Sequence, residues 1–276
     1  VSLAGTLRGW LAAGMPAILV RIAQATGSTP REAGAAMLVS PDRTAGTIGG
    51  GQLEFHTIDI ARAMIGSGET ARDVDLPLGP QLGQCCGGRV LLVFGRAESE
   101  MLRDLEAEEA AARARRPHVI VFGAGHTGRA LATALAPLPF ATSLIDSREE
   151  TLTDLPAGIS ARHLERPEEA VATAPPGAAC VVASHSHALD YAITDAGLRR
   201  GDAAYVGLIG SGTKRALFAR WFLQRGGSEA ELARLTCPIG GEDVDDKRPE
   251  VIAALTAAEL VRILLGKRGW QEGAIR

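Results

Sequence analysis

In the second half of the chain, apolar residues come in short unbroken runs, each followed by a stretch with helical spacing. Residues 118–122 (His-Val-Ile-Val-Phe) form one such run, rich in β-branched side chains, and residues 129–136 carry the helical pattern after it. Residues 141–146, 180–183 and 203–208 repeat the theme, with helix-like segments at 190–199, 216–224, 228–235 and 249–265. Unbroken apolar runs mark strands buried on both faces, whereas half-solvated strands alternate. Strands alternating with helices predict a parallel sheet that binds ligands at the carboxyl ends of its strands.

The first half has a different rhythm. Leu3, Leu7, Trp10 and Leu11 share one helical face, which Gly14 and Pro16 end. Residues 17–23, 35–39, 74–78 and 89–94 have strand character, and residues 52–65 place Leu53, Phe55, His56, Ile60 and Met64 at helical spacing. Residues 98–115 are rich in Glu, Ala and Arg and poor in large apolar side chains, the composition of a solvated helix or helical linker. Pro117 stops that helix. The expected organisation is a small N-terminal α/β domain over residues 1–97, a helical linker over 98–116 and a Rossmann-like domain with a parallel sheet over 117–276.

The Rossmann expectation rests on what closes the run at 118–122. Gly123-Ala124-Gly125-His126-Thr127-Gly128 fits G-x-G-x-x-G. Between a strand and a helix such glycines clear the helix N-terminus for a pyrophosphate. Asp146 ends the next strand-like run, about 20 residues on, where an acid reads an adenosine ribose. The alternative is a glycine turn that serves only helix packing, with Asp146 as a helix N-cap.

Composition narrows the classes. With 276 residues, 46% hydrophobic and 22% charged, the chain has material for two cores. A formal charge of −3 and 4% aromatic content argue against nucleic acid as a partner. No apolar run approaches the roughly 20 residues that span a bilayer, so no membrane partner is expected. The first residues carry neither a basic leader nor an apolar segment with a cleavage site, and a cytoplasmic location is expected. The four cysteines, Cys85, Cys86, Cys180 and Cys237, form no C-x-x-C pair and no secreted disulfide framework.

Several groups are candidates for chemistry. Cys85-Cys86 lies between Gln84 and Gly87-Gly88. Buried free cysteines are inert, but glycines let another molecule approach the backbone, and exposed thiolates bind soft metals or carry sulfur. Residues 46–51 include Gly49 and Gly50, with no Lys-Ser or Lys-Thr to make a Walker A loop. Their amides suit an anion nest, or the segment is a plain positive-φ turn. Thr29 and Arg31 would add donors if the two loops meet. His185 and His187, one residue apart after a strand, face a cleft with His126 or bind metal. Lys214-Arg215 in the first turn of a helix opposes the helix dipole and calls for a compensating anion or carboxylate. Cys237 either sits at a cleft rim or merely turns the chain. No G-x-S-x-G nucleophile is present.

Taken together, residues 27–37, 46–54 and 83–88 resemble the N-terminal region of the XdhC/CoxI family. Residues 121–129, 184–190, 205–215 and 237–240 resemble its C-terminal half in the same order. The chain departs from the family pattern at Gly212, where an arginine is usual, at Ser186, where an aspartate is frequent, and at Gly241-Glu242-Asp243-Val244. The resemblance implies a maturation factor rather than a catalyst. Such a factor is a chaperone that binds molybdenum cofactor (molybdopterin), holds it while a cysteine desulfurase supplies the sulfido ligand, and inserts it into apo xanthine dehydrogenase or a related molybdenum hydroxylase.

On that reading the partners are the desulfurase, the molybdenum subunit of the apo-enzyme and a second copy of the chain. The expected cofactor-binding residues are Cys85, Cys86, Gly49, Gly50, Gly123, Gly125, His126, Gly128, Asp146, His185 and His187, with Cys85 and Cys86 as molybdenum contacts. One arrangement puts the cofactor between the domains, its phosphate on the 123–128 loop and its metal towards the cysteines; another keeps it wholly on the N-terminal domain. The competing readings are an NAD(P)-dependent oxidoreductase built on the glycine loop and Asp146, and a thiol redox sensor built on Cys85-Cys86.

Overall fold

In the computed structural model, which describes residues 2–79 and 87–266, the apolar run near residue 18 becomes the centre strand of a five-stranded antiparallel sheet. This strand, β1 (Ile18–Thr26), pairs with β2 (Ala36–Val39) on one side and β5 (Arg89–Arg96) on the other. The edges are β3 (Thr44–Gly46) and β4 (Ala71–Pro77), giving the order β3-β2-β1-β5-β4. A register shift between Ile22 and Gln24 marks a bulge in β1. Alternation sorts the side chains. Ile18, Val20 and Ile22 enter one core with Leu92 and Phe94, and helix α2 (Gly51–Ser67) covers it with Leu53, Ala61 and Met64. Leu19 and Leu38 face the other side, against Leu7 and Trp10 of helix α1 (Leu3–Ala12).

The helix expected as a linker belongs to this layer. Helix α3 (Ser99–Ala114) buries Leu105 in the same cluster as Leu7, Trp10 and Leu19. Glu109 accepts from Ser2 Oγ at 2.6 Å and Ala4 N at 3.0 Å, Glu106 pairs with Arg8 and Glu108 with Arg21. Its attachment is one fully buried leucine, the half-buried Met101 and Leu102 and the polar contacts, so few apolar positions mark it in the sequence. The chain accordingly divides at Ala114 and Arg115 into two compact units, with α3 in the first.

The second unit is built on six parallel strands in the order β11-β10-β9-β6-β7-β8. These are β6 (His118–Phe122), β7 (Ala141–Asp146), β8 (Ile159–His163), β9 (Ala179–Val182), β10 (Tyr205–Leu208) and β11 (Leu235–Thr236). The order is that of a Rossmann fold. Both faces are covered, so β6 sends Val119 and Val121 into one core and Ile120 and Phe122 into the other. Helices α4 (His126–Leu135) and α9 (Pro249–Leu264) cover the first face. On the second lie α5 (Glu169–Ala172), α6 (His187–Arg200), α7 (Gly212–Gln224) and α8 (Glu229–Leu232). A capping box of Ser228 and Glu231 starts α8, which stops at Leu232 so that Leu235 and Thr236 can pair with β10, where a longer helix was expected. No helix among the described residues is long and apolar enough to cross a membrane.

The order of strands reverses between β6 and β9. Phe122 is the register partner of Val182, and Ala183 N donates to Phe122 O at 2.8 Å, so the loops after these two strands leave the sheet side by side.

Candidate functional site

The three glycines of the 123–128 loop have different tasks. Gly123 has φ +110, and a Cβ there would stand 2.1 Å from Ala183 O; a Cβ on Gly128 would stand 1.7 Å from Gly123 O. Both positions are closed by backbone, as a turn packed between two strands and a helix requires. Gly125 is open. Among the described residues no atom outside its own turn lies within 4 Å of where its Cβ would be, and it caps α4 with no side-chain cap hydrogen bond. The loop therefore has both functions weighed from sequence, packing at its ends and an accessible helix N-terminus in its middle.

That open position faces a cavity of about 460 Å³ lined by Ala124, Gly125, His126, Arg129, Arg148, Thr151, Ala183, Ser184 and His185. It sits at the switch point, where ligands of open α/β sheets bind. Among the described residues no carboxylate lines it. Arg129 Nη1 donates to the carbonyls of Thr151 and Thr153, both at 2.8 Å, which are neutral acceptors, and it has no ion-pair partner among the described residues. Of the three histidines expected to converge, His126 and His185 line the cavity; His187 opens α6 and is not among its lining residues.

Asp146 is present where a ribose-reading acid belongs, but its oxygens are taken. Oδ1 accepts from Arg148 N and Nε, both at 3.0 Å, and Oδ2 from Ala124 N at 2.7 Å and Arg148 Nη2 at 3.0 Å. Burial pulls this carboxyl up, but the Arg148 guanidinium and the amides of Ala124 and Arg148 outweigh it and hold it below the ordinary range. The N-cap alternative does not describe it either, because no side chain caps the short 3-10 turn at Glu149–Leu152 that follows.

The loop carrying His185 is held from the other side by Asp190. Its Oδ1 accepts from Ser184 N at 2.9 Å and Ser184 Oγ at 2.7 Å, and its Oδ2 from Lys214 Nζ at 2.5 Å. The compensation expected for Lys214 is thus a buried carboxylate of the chain itself. Arg215 beside it has no ion-pair partner among the described residues.

In the first unit, the amide nest at residues 46–51 is filled. Glu54, one turn into α2, accepts from Thr47 Oγ1 and from Ile48 N at 2.9 Å. Burial raises its carboxyl, but Thr47 and the amides of Ile48, Gly50 and Gly49 together outweigh it, so the net shift is downward. The nest does bind an anion, and the anion is Glu54. The expectation that Gly49 and Gly50 hold an external ligand meets this competitor. The 27–34 and 46–51 loops do meet, since a Cβ on Gly49 would lie 2.6 Å from Pro30 Cβ.

Cys85 and Cys86 lie outside the described residues. Cys180 is buried in the Rossmann core, and burial pushes its thiol up to about 11. Cys237 is buried too and its thiol is raised, burial outweighing Lys214 and Arg215, so the rim reading gives way to a packed residue. Among the described residues no group of three or more His, Cys, Asp or Glu is placed to hold a metal. Sequence reasoning missed Arg129, Arg148 and Glu54 as site-shaping residues. The signal for the first was available, since a cation in the first turn of a helix opposes the dipole just as Lys214 does.

A Rossmann domain with a cationic switch-point cavity, joined in one chain to an antiparallel-sheet unit, defines the class. Residues 119–260 match the XdhC Rossmann domain and residues 10–75 match the XdhC and CoxI family. The chain belongs to the XdhC and CoxI family. It is 27% identical over 263 residues to the uncharacterized protein YqeB of Escherichia coli K12, an alignment that takes in 90% of this chain and 43% of that protein. The chain thus spans less than half the length of that relative. Its fold is similar to a Bacillus halodurans crystal structure described as a xanthine dehydrogenase, with a TM-score of 0.78, 18% identity and 97% of each chain covered.

Proposed function

We propose that this chain is a cytoplasmic carrier of molybdenum cofactor in the maturation of xanthine dehydrogenase or a related molybdenum hydroxylase. The cofactor is cargo here, a pterin with a dithiolene-held metal and a phosphate tail. Family membership supports the maturation role. The observation that carries the binding role is the switch-point cavity: an open Gly125 and, among the described residues, no ion-pair partner for Arg129 and no lining carboxylate. Helix N-terminal amides and a cation favour a phosphate, and His126 and His185 offer hydrogen bonds to a polar heterocycle.

While held, the cofactor receives its terminal sulfido ligand from a cysteine desulfurase. The chain's own residues bind and orient it, and the apo-enzyme's molybdenum subunit takes it over. Self-association belongs to the same reading. Incubation with cofactor released from a molybdoenzyme, desalting and elemental analysis tests it. Molybdenum retained with the protein, and reduced at least tenfold by Arg129→Met, is the expected result; none above a control protein removes the carrier reading. The role of Cys85 and Cys86 as soft ligands is tested separately, because unchanged retention in the Cys85→Ala and Cys86→Ala variants removes the thiols and leaves the cavity.

A further inference from the structure

We propose that Asp146 and Arg148 form a latch that closes the ribose position of the switch-point cavity, so that the cavity takes a phosphomonoester without a ribose rather than NAD. In a dinucleotide site the acid ending the second strand keeps lone pairs free for ribose hydroxyls. A carboxylate offers about four acceptor positions. Among the described residues Asp146 accepts four hydrogen bonds, one from Ala124 N and three from Arg148, and its side chain is 1% exposed. A ribose hydroxyl could bind this acid only by displacing a two-pronged, charge-assisted arginine pair.

The same contacts decide what the cavity prefers. Arg148 lines it but spends its charge on Asp146, whereas Arg129 faces only carbonyl oxygens. One net guanidinium charge beside open helix amides suits a single terminal phosphate. The exclusion of the dinucleotide rests on the geometry alone, and the choice of phosphomonoester rests on the carrier reading above. Arg148 is on this view a specificity-determining residue, acting through Asp146.

Calorimetric titration of the full chain with NAD and NADP tests the latch. The wild type is expected to give no saturable binding at millimolar dinucleotide. Arg148→Met, which unmasks Asp146, is expected to bind NAD at least tenfold more tightly than the wild type. Arg148→Lys, which keeps a cation but gives up the two-pronged clamp, should show a smaller gain and serves if the methionine variant does not fold. Saturable micromolar binding of NAD or NADP by the wild type overturns the latch, as does a folded variant with no gain. Inorganic phosphate should compete with molybdenum retention by the wild type, and absence of competition overturns the phosphomonoester half. Dinucleotide exclusion without any molybdenum retention leaves the latch standing and removes the carrier, so the two failures are distinct.

Discussion

Lys214 and Asp190 join the first turns of two helices through a 2.5 Å contact, with 14% and 3% of their side chains exposed. The pair explains two sequence features at once, a cation at a helix N-terminus and an acid five residues after His185. It ties the loop after β9 to the loop after β10. A buried pair is worth little beside an apolar replacement, but breaking it strands a charge. Lys214→Met should therefore cost about 3–5 kcal/mol in urea denaturation. Adding Asp190→Asn should recover most of that, since an asparagine oxygen still accepts from Ser184 and carries no charge. A double variant no more stable than Lys214→Met alone would show that the pair does not carry the anchoring.

Glu54 gives a pH signature. Its folded-state carboxyl lies below the ordinary 4.5, because the Thr47 hydroxyl and three amides overcome the upward pull of burial. A depressed carboxyl contributes stability that is complete above its unfolded value and disappears as pH falls through the folded one. Glu54→Gln should lose about 1 kcal/mol at neutral pH, where the charged acceptor is replaced by a neutral one. On the acid side of 4.5 its melting temperature should approach that of the wild type. Parallel melting curves across that range would place the acid sensitivity elsewhere.

Gly125 and Gly128 separate binding from folding. A methyl on Gly128 has only 1.7 Å to Gly123 O, so Gly128→Ala should cost about 3 kcal/mol or more and lower the yield of folded protein. At Gly125 the backbone has φ −74 and the space beyond is empty. Gly125→Ala should cost only about 1 kcal/mol, the difference between glycine and alanine at an N-cap, yet reduce molybdenum retention by filling the approach to the helix amides. Circular dichroism melts paired with molybdenum analysis read the two effects, and full retention by Gly125→Ala would move the ligand away from this loop.

The Rossmann unit was legible because burial on both faces writes itself as unbroken apolar runs, and because Gly123 and Gly128 must be glycine for steric reasons. Three of the four edge strands left no such mark. In β8 four of five residues are exposed, and β3 and β11 have three and two residues; pairing, not burial, makes them strands. At the site the acid Asp146 and the nest at 46–51 were visible, but not that Arg148 and Glu54 fill them. Those contacts depend on where long side chains fold back, and Thr47 with Glu54 has no capping-box spacing. The Cys85-Cys86 pair, prominent in sequence, falls outside the described residues.

The place of α3 follows from the same limits and can be checked. Only Leu105 of its residues is fully buried, 3% exposed in the cluster with Leu7, Trp10, Leu19 and Leu38. A helix that merely links two domains would tolerate any solvated side chain there. A helix that closes the second core of the antiparallel sheet would not, because removing the leucine leaves a cavity facing Trp10 and the sheet. Leu105→Ala should therefore destabilise the first unit by about 2–4 kcal/mol. Charge-neutral changes at Arg103 or Arg113 should stay within about 0.5 kcal/mol, since exposed polar positions contribute little. In a background carrying Trp221→Phe and Trp270→Phe, fluorescence of Trp10, which shares the cluster, follows the unfolding of this unit from within. Leu105→Ala unfolding at the wild-type urea concentration would return the helix to the status of a linker.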